Sequence, residues 1–333
     1  MRRALHHEVL VSLLVLATAL TVVLAAGEKV KLSGYAEYRK GDTLIVDGQR
    51  IRTDGKTKYK GRGIYSVEMI SLGYEVKVQG RRGPDGVVLA ERVEARPNGV
   101  SMFEPEVLQA TNQIEQTWVK EGKMFSEDSA GKRVDIGKLD DSGPQVERVR
   151  RIMNRLIPPY IDRRNLRVRV VETKEWNASA MGNGAIWVYS GLLDQMSDDE
   201  LAVILGHELA HYTHEHSRRG AKRGMILQML SVGALVGASS VGGTAGQAAG
   251  IGGLLGLTAF QSGYSRDMED QADRVGLRYA YEGGFDVRQA PRLWERFREK
   301  YGEQDSVSNF FVGSHSRPSD RIRNLQHELA VNY

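Results

Sequence analysis

SDDELAVILGHELAHYTHEH, residues 197–216, places four histidines within its last ten positions. Its opening residues dictate its shape. Ser197 and Glu200 stand in capping-box register, in which each side chain satisfies a backbone N–H that the first turn of a helix leaves unbonded. Leu201, Val203, Ile204, Leu205 and Leu209 then make the helix apolar, so it belongs in the body of a domain rather than on a loop. Residues four apart share a helix face, so His207 and His211 can present ring nitrogens to one ion. Glu208 is displaced around the helix but remains near enough to reach a water held there. The pattern is HExxH, in which the histidines bind a metal and the glutamate acts as general base.

Two ligands are too few, because a catalytic zinc takes three protein ligands and keeps one position open. His214 has the right angular position but lies roughly 10 Å along the axis from His207, too far to complete a tetrahedron. The longer HExxHxxGxxH arrangement is excluded, since positions 214 and 217 are His214 and Ser217. The inverted HxxEH pattern fails as well, with Tyr212 where its first histidine belongs. His216 is expected on the opposite side of the helix. His214, Glu215 and His216 therefore read as the close of the helix, together with Arg218 and Arg219. The third ligand is expected from a later helix. SRDMEDQADRVG, residues 265–276, offers Glu269 and Asp273 one turn apart. Glu269 is expected to bind the metal, and Asp273 to hydrogen-bond a ligand histidine.

The flanking chain supplies a frame. PQVERVRRIMNRLIP, from Pro144, spaces Val146, Val149, Ile152, Met153 and Leu156 along one helix face and stops at a proline pair. NLRVRVV, from Asn165, alternates as a half-buried strand, and GAIWVYSGLL, from Gly184, is a strand running into a helix. Helix, strand, strand and long helix make residues 104–333 an α+β domain. Residues 30–97 differ. TLIVDGQRIRT and GPDGVVLAERVEA each set Asp-Gly at the head of a strand-like run, and YEVKVQG alternates in period two. These predict a small all-β, OB-like barrel or sandwich. Residues 29–100 hold 15 Lys and Arg against 9 Asp and Glu, which suits an acidic polymer or membrane surface or simply a solvated face. Tyr35, Tyr38, Tyr59, Tyr65 and Tyr74 read as core and surface residues, and no nucleic-acid partner is expected.

The whole chain has 333 residues, 41% hydrophobic and 26% charged, with a net charge of +4. It contains no cysteine, so any metal must be held by His, Asp or Glu. Arg2 and Arg3 precede VLVSLLVLATALTVVLAAG, residues 9–27, which carries no charge. That start reads as an export signal, cleaved or retained as an anchor, and residues 1–27 are set apart on this ground. Residues 224–265 also lack charge and space glycines four apart, which permits close helix contact. They read as buried helices or a glycine-hinged lid over a cleft, with membrane insertion the lesser alternative.

HELAH followed by EDQAD in ExxAD form resembles the gluzincin family of HtpX, the CAAX prenyl proteases and the exported BepA-like peptidases. NASAMGNGAIWVYSGLL, residues 177–193, resembles that family's lead-in to its active-site helix, and SHSRPSDRI, residues 314–322, its later motif. The resemblance spans about residues 150–330. It implies a zincin-type fold, mostly helical, whose active-site helix packs on a small mixed sheet. It further implies that His315 lies near the zinc and stabilises the transition state or gates the metal. Asn177 would line the substrate cleft and Arg321 would brace the site. The family's usual proline directly after that histidine is here Ser316, and the proline is Pro318.

The chemistry expected is hydrolysis of peptide bonds at one Zn2+ per chain, with Glu208 taking the proton of water and passing it to the leaving amine. An extended, unfolded substrate is expected to add to the strand at 184–190 through Ala185 and Trp187, in exported protein quality control in a bacterial periplasm or envelope. Two other functions fit the same residues: a zinc-bearing assembly factor or chaperone, and a polymer- or membrane-binding protein acting through the basic β module.

Overall fold

A computed structural model describes residues 27–99, 105–127, 132–220, 264–303 and 318–333. The apolar N-terminal run, almost all of the uncharged glycine-rich run and His315 lie outside them. Among the described residues, no helix is long and apolar enough to cross a membrane. The chain divides into two compact units, Met1–Pro97 and Asn98–Tyr333.

The first unit is a closed barrel. Strand β1 (Glu28–Lys40) pairs antiparallel with both β2 (Thr43–Val46) and β5 (Glu75–Arg82). Asp47 and Gly48 both take positive φ, 43° and 76°, which is the two-residue turn that matches strand twist. That turn leads into β3 (Gln49–Arg52). Strand β5 pairs with β6 (Val88–Arg96), and β6 returns to lie parallel to β3 through Ile51 opposite Val88. This contact closes the circle and removes the sheet's open edges, while the short β4 (Lys58–Lys60) flanks β6. Leu44, Val46, Ile51, Val76, Val78, Val88 and Val93 fill the interior. Tyr35 and Tyr38 are buried, Tyr59 and Tyr74 pack against that core, and Tyr65 faces solvent.

The second unit begins with α1 (Pro105–Trp118), the short strands β7 (Val119–Lys120) and β8 (Lys123–Glu127), and β9 (Arg133–Asp140). Helix α2 (Pro144–Leu156) buries the five apolar residues its spacing predicts, each worth about 2 kcal/mol in burial. Strands β10 (Arg167–Glu172), β11 (Ala178–Ala180) and β12 (Ala185–Tyr189) complete a mixed six-stranded sheet in the order β11-β12-β10-β9-β8-β7. Only β10 and β12 run parallel. Helix α3 (Ser190–Gln195) follows β12, and α4 (Asp198–Thr213) carries the histidines.

Both capping-box bonds of Ser197 and Glu200 are formed, at 2.9 and 3.2 Å. Every residue of α4 from Glu200 to Thr213 is buried. A helix apolar on all sides is an interior helix, and α4 lies among β11, α2 and α5 (Arg266–Glu282). Helices α6 (Ala290–Tyr301) and α7 (Pro318–Asn332) pack together, α7 against α5 and α6 against α4. Helices α4 and α5 meet glycine to glycine. A Cβ on Gly206 would lie 2.5 Å from the carbonyl oxygen of Gly276, and one on Gly276 would lie 2.5 Å from the nitrogen of His207. No side chain fits between the two backbones at this crossing.

Candidate metal centre

The glycine crossing lays His207 and His211 of α4 against Glu269 of α5. The two Nε2 atoms are 3.0 Å apart. Glu269 sets Oε2 at 3.4 Å from His207 Nε2 and Oε1 at 3.4 Å from His211 Nε2. One nitrogen from each histidine and one carboxylate oxygen lie within 4.8 Å of one another, close enough to share an ion with bonds of about 2.0–2.1 Å, the two Glu269 oxygens each facing a different histidine. Each of the three residues is 1% exposed. Two imidazoles and a carboxylate, without thiolate, form a donor set suited to a catalytic zinc site. Glu208 is equally buried at 1%, one residue along the same helix.

His207 is oriented by a carboxylate. Its Nδ1 lies 2.9 Å from Asp273 Oδ1, one turn beyond Glu269. The Arg321 guanidinium grips the same carboxylate through Nε to Oδ2 at 3.0 Å and through Nη2 to Oδ1. Arg321 Nη2 also lies 2.8 Å from His207 Nδ1. With Nε2 turned to the donor cluster as a metal ligand, the neutral ring would carry its proton on Nδ1 and donate it to the Asp273 carboxylate, which only accepts. Burial pushes the Asp273 carboxyl up, but Arg321 and the His207 bond outweigh it and hold it below the usual carboxylate range. Arg321 is fully buried and sets its Cζ over the Trp294 ring, 3.5 Å from the centroid. Helix α7 is thereby tied to α4 through α5.

His211 is oriented differently, and here the structure corrects the reading of His216. Helix α4 ends at Thr213, Glu215 takes φ of 54°, and a new helical run starts at His216. That turn swings His216 back toward the metal centre instead of away from it. His216 Nδ1 lies 2.8 Å from His211 Nδ1, and its Nε2 lies 2.9 Å from Gln271 Oε1. Burial drives the His216 pKa well below the ordinary histidine value. Arg219, expected only to close the helix, donates to Gln271 Oε1 at 2.7 Å. His214 stays outside the donor set, buried with Nδ1 3.1 Å from Thr213 Oγ1, and Glu215 pairs with Arg218. Tyr264 stacks on His211 with ring centroids 4.0 Å apart and donates or accepts at Ser217 Oγ over 2.9 Å.

The substrate strand needs a correction as well. Ala185 and Trp187 lie on β12, which is hydrogen-bonded to β10 on one side and β11 on the other. Both are fully buried. A strand with both edges paired cannot accept a third chain, so neither residue can dock substrate by strand addition. The sheet's two edges are β7 and β11, and Asn177, 4% exposed, leads into β11.

A family model described as peptidase family M48 matches residues 144–329, more than half of the chain. The chain belongs to peptidase family M48. Residues 34–94 match a domain of unknown function, DUF5666. The metalloprotease YcaL of Escherichia coli is 37% identical over 167 residues, covering 49% of this chain and 61% of that protein. The metalloprotease LoiP of the same organism is 28% identical over 166 residues, covering 49% and 63%. A putative beta-barrel assembly-enhancing protease of Vibrio cholerae is 29% identical over 157 residues, covering 46% and 32%. The chain thus spans less than two thirds of the length of each of these relatives.

Within the M48 domain, α4 and α5 hold the three donors, Glu208 and Asp273, and α7 supplies Arg321. Three contributors escaped sequence reasoning: His216, Gln271 and Tyr264. For His216 the signal was present, because a fourth histidine so close to a metal motif calls for an account of its partners. Gln271 stands between Glu269 and Asp273 without any mark of its own, and Tyr264 lies next to the last residue of an uncharged run that has no periodicity to place it.

Proposed function

We propose that this chain is a zinc-dependent endopeptidase that cleaves unfolded or misassembled exported proteins in the cell envelope. The convergence of Glu269 of α5 with His207 and His211 of α4, beside Glu208 of the same buried α4, carries this reading. Zinc, when bound, supplies a Lewis acid that polarises a carbonyl and lowers the pKa of water. Glu208 accepts the proton of the attacking water and delivers it to the leaving amine. Asp273 fixes His207 with its Nε2 lone pair toward the donors, and Arg321 keeps that carboxylate charged.

The substrate chain docks on the outer edge of β11. Tyr189 N donates to Asn177 O, and Met181 N donates to Ala185 O, both toward β12. Alternation along the strand then turns the backbone groups of Ala178 and Ala180 away from β12. Main-chain pairing at that edge is indifferent to side chains, which suits an unfolded substrate. The name of the Vibrio cholerae relative, a putative beta-barrel assembly-enhancing protease, and the apolar run after Arg2 and Arg3 support an envelope setting, with residues 9–27 removed or kept as a membrane anchor.

Purified chain should cleave unfolded casein, lose that activity to a chelator and regain it with added zinc. Cleavage indifferent to chelation would overturn the metal reading. Ala180→Pro removes one outward N–H while sparing the ladder to β12. It should raise KM for unfolded substrate roughly 3- to 10-fold, the worth of one hydrogen bond, with kcat little changed. An unchanged KM would rule out docking on β11.

A further inference from the structure

His216 is fully buried, and the hydrolysis described above gives it no part. The polarity of its hydrogen bonds can be read from one end. Arg219 Nη1 lies 2.7 Å from Gln271 Oε1. A guanidinium only donates, so the atom facing it is the amide oxygen and the orientation of Gln271 is fixed. The same oxygen lies 2.9 Å from His216 Nε2. An amide oxygen only accepts, so His216 carries its proton on Nε2. Neutral His216 then has its lone pair on Nδ1, which lies 2.8 Å from His211 Nδ1. One nitrogen of that pair must donate, and His211 is the one that can. With its proton on Nδ1, His211 turns an Nε2 lone pair toward His207 Nε2 at 3.0 Å and Glu269 Oε1 at 3.4 Å.

We infer that His216 is a positioning residue for the metal centre, accepting the Nδ1–H of His211 and so fixing that ligand's tautomer and ring angle. The chain of bonds runs Arg219, Gln271, His216, His211, and each donor in it is set by the one before. It depends on the metal reading above. The two histidine ligands are thus held by unlike partners, His207 by a charged carboxylate and His211 by a neutral imidazole. Outer partners of this kind are generally worth about 10- to 100-fold in metal affinity.

The test measures zinc dissociation constants of the full chain by competition with a chelator, alongside the thermal unfolding of each metal-free variant. His216→Phe fills the volume but offers no acceptor, and His216→Asn offers an amide oxygen near the position of Nδ1. The phenylalanine variant should bind zinc about 10- to 100-fold more weakly, and the asparagine variant should recover most of the loss. A purely structural role would instead lower the unfolding temperature of metal-free protein with zinc affinity unmoved. Wild-type affinity in folded His216→Phe, or equal losses in the two variants, overturns the inference. If His216→Phe does not fold, Gln271→Met decides: it leaves His216 in place without its orienting oxygen, and should weaken zinc binding by a smaller factor. Unchanged affinity there also overturns the inference. Failure of the wild-type chain to bind zinc would remove the metal reading itself.

Discussion

Glu208→Gln should leave zinc affinity unchanged and lower the hydrolysis of unfolded polypeptide by about 10²- to 10⁴-fold. The substitution is nearly isosteric, and none of His207, His211 and Glu269 is touched. What it removes is the capacity to take a proton: a carboxylate accepts one near neutral pH and an amide does not. Burial sharpens the contrast. Glu208 is 1% exposed, and a neutral amide is easier to bury than a charge, so the variant should unfold no lower than wild type. Parallel assays of zinc content and casein cleavage check this. Full activity with zinc retained would rule out Glu208 as the base. Loss of zinc together with activity would make it a structural member of the centre.

Arg321→Met should cost about 3–5 kcal/mol of folding stability, the usual penalty for stranding one member of a buried ion pair. In a unit of this size that lowers the unfolding temperature by roughly 10 °C. The side chain is fully buried, bound to Asp273 through two nitrogens and set with its Cζ over the Trp294 ring. Methionine keeps much of the packing on Trp294 but leaves the Asp273 carboxylate without its counter-charge. Adding Asp273→Asn should therefore cost less in the Arg321→Met background than in wild type, because the charge that suffers is then gone. Calorimetry of the four proteins measures the coupling. Strictly additive losses would mean that the pair does not act as a unit.

Much of this centre was legible in the residues themselves. The capping box, the apolar helix and the spacing of HExxH are local features, and local features survive into the fold unchanged. Glu269 and Asp273 could be read because one helical turn separates them and a metal needs a third ligand. The failures share one origin. Placing His216 on the far side of the helix extended a helical period past Thr213, where no glycine or proline announces a stop and only Glu215 at positive φ breaks the run. Assigning Ala185 and Trp187 to substrate rested on a strand-like pattern, and such a pattern does not say which strand becomes an edge. β11 is three residues long, too short to show a period of its own, yet it holds that position. The β module was legible for the opposite reason: its Asp-Gly turns fix hairpins, and hairpins fix most of a barrel.

The contact between Gly206 and Gly276 amounts to a mechanical stop. Backbone touches backbone there, so the separation of α4 and α5 is set by van der Waals radii and not by an adjustable side chain. His207 follows one glycine directly, and Glu269 lies two turns before the other on its helix. The aperture between the donors is therefore inherited from the closest approach two helices can make. The spacing of the two helices that carry the donors is thus a property of the main chain.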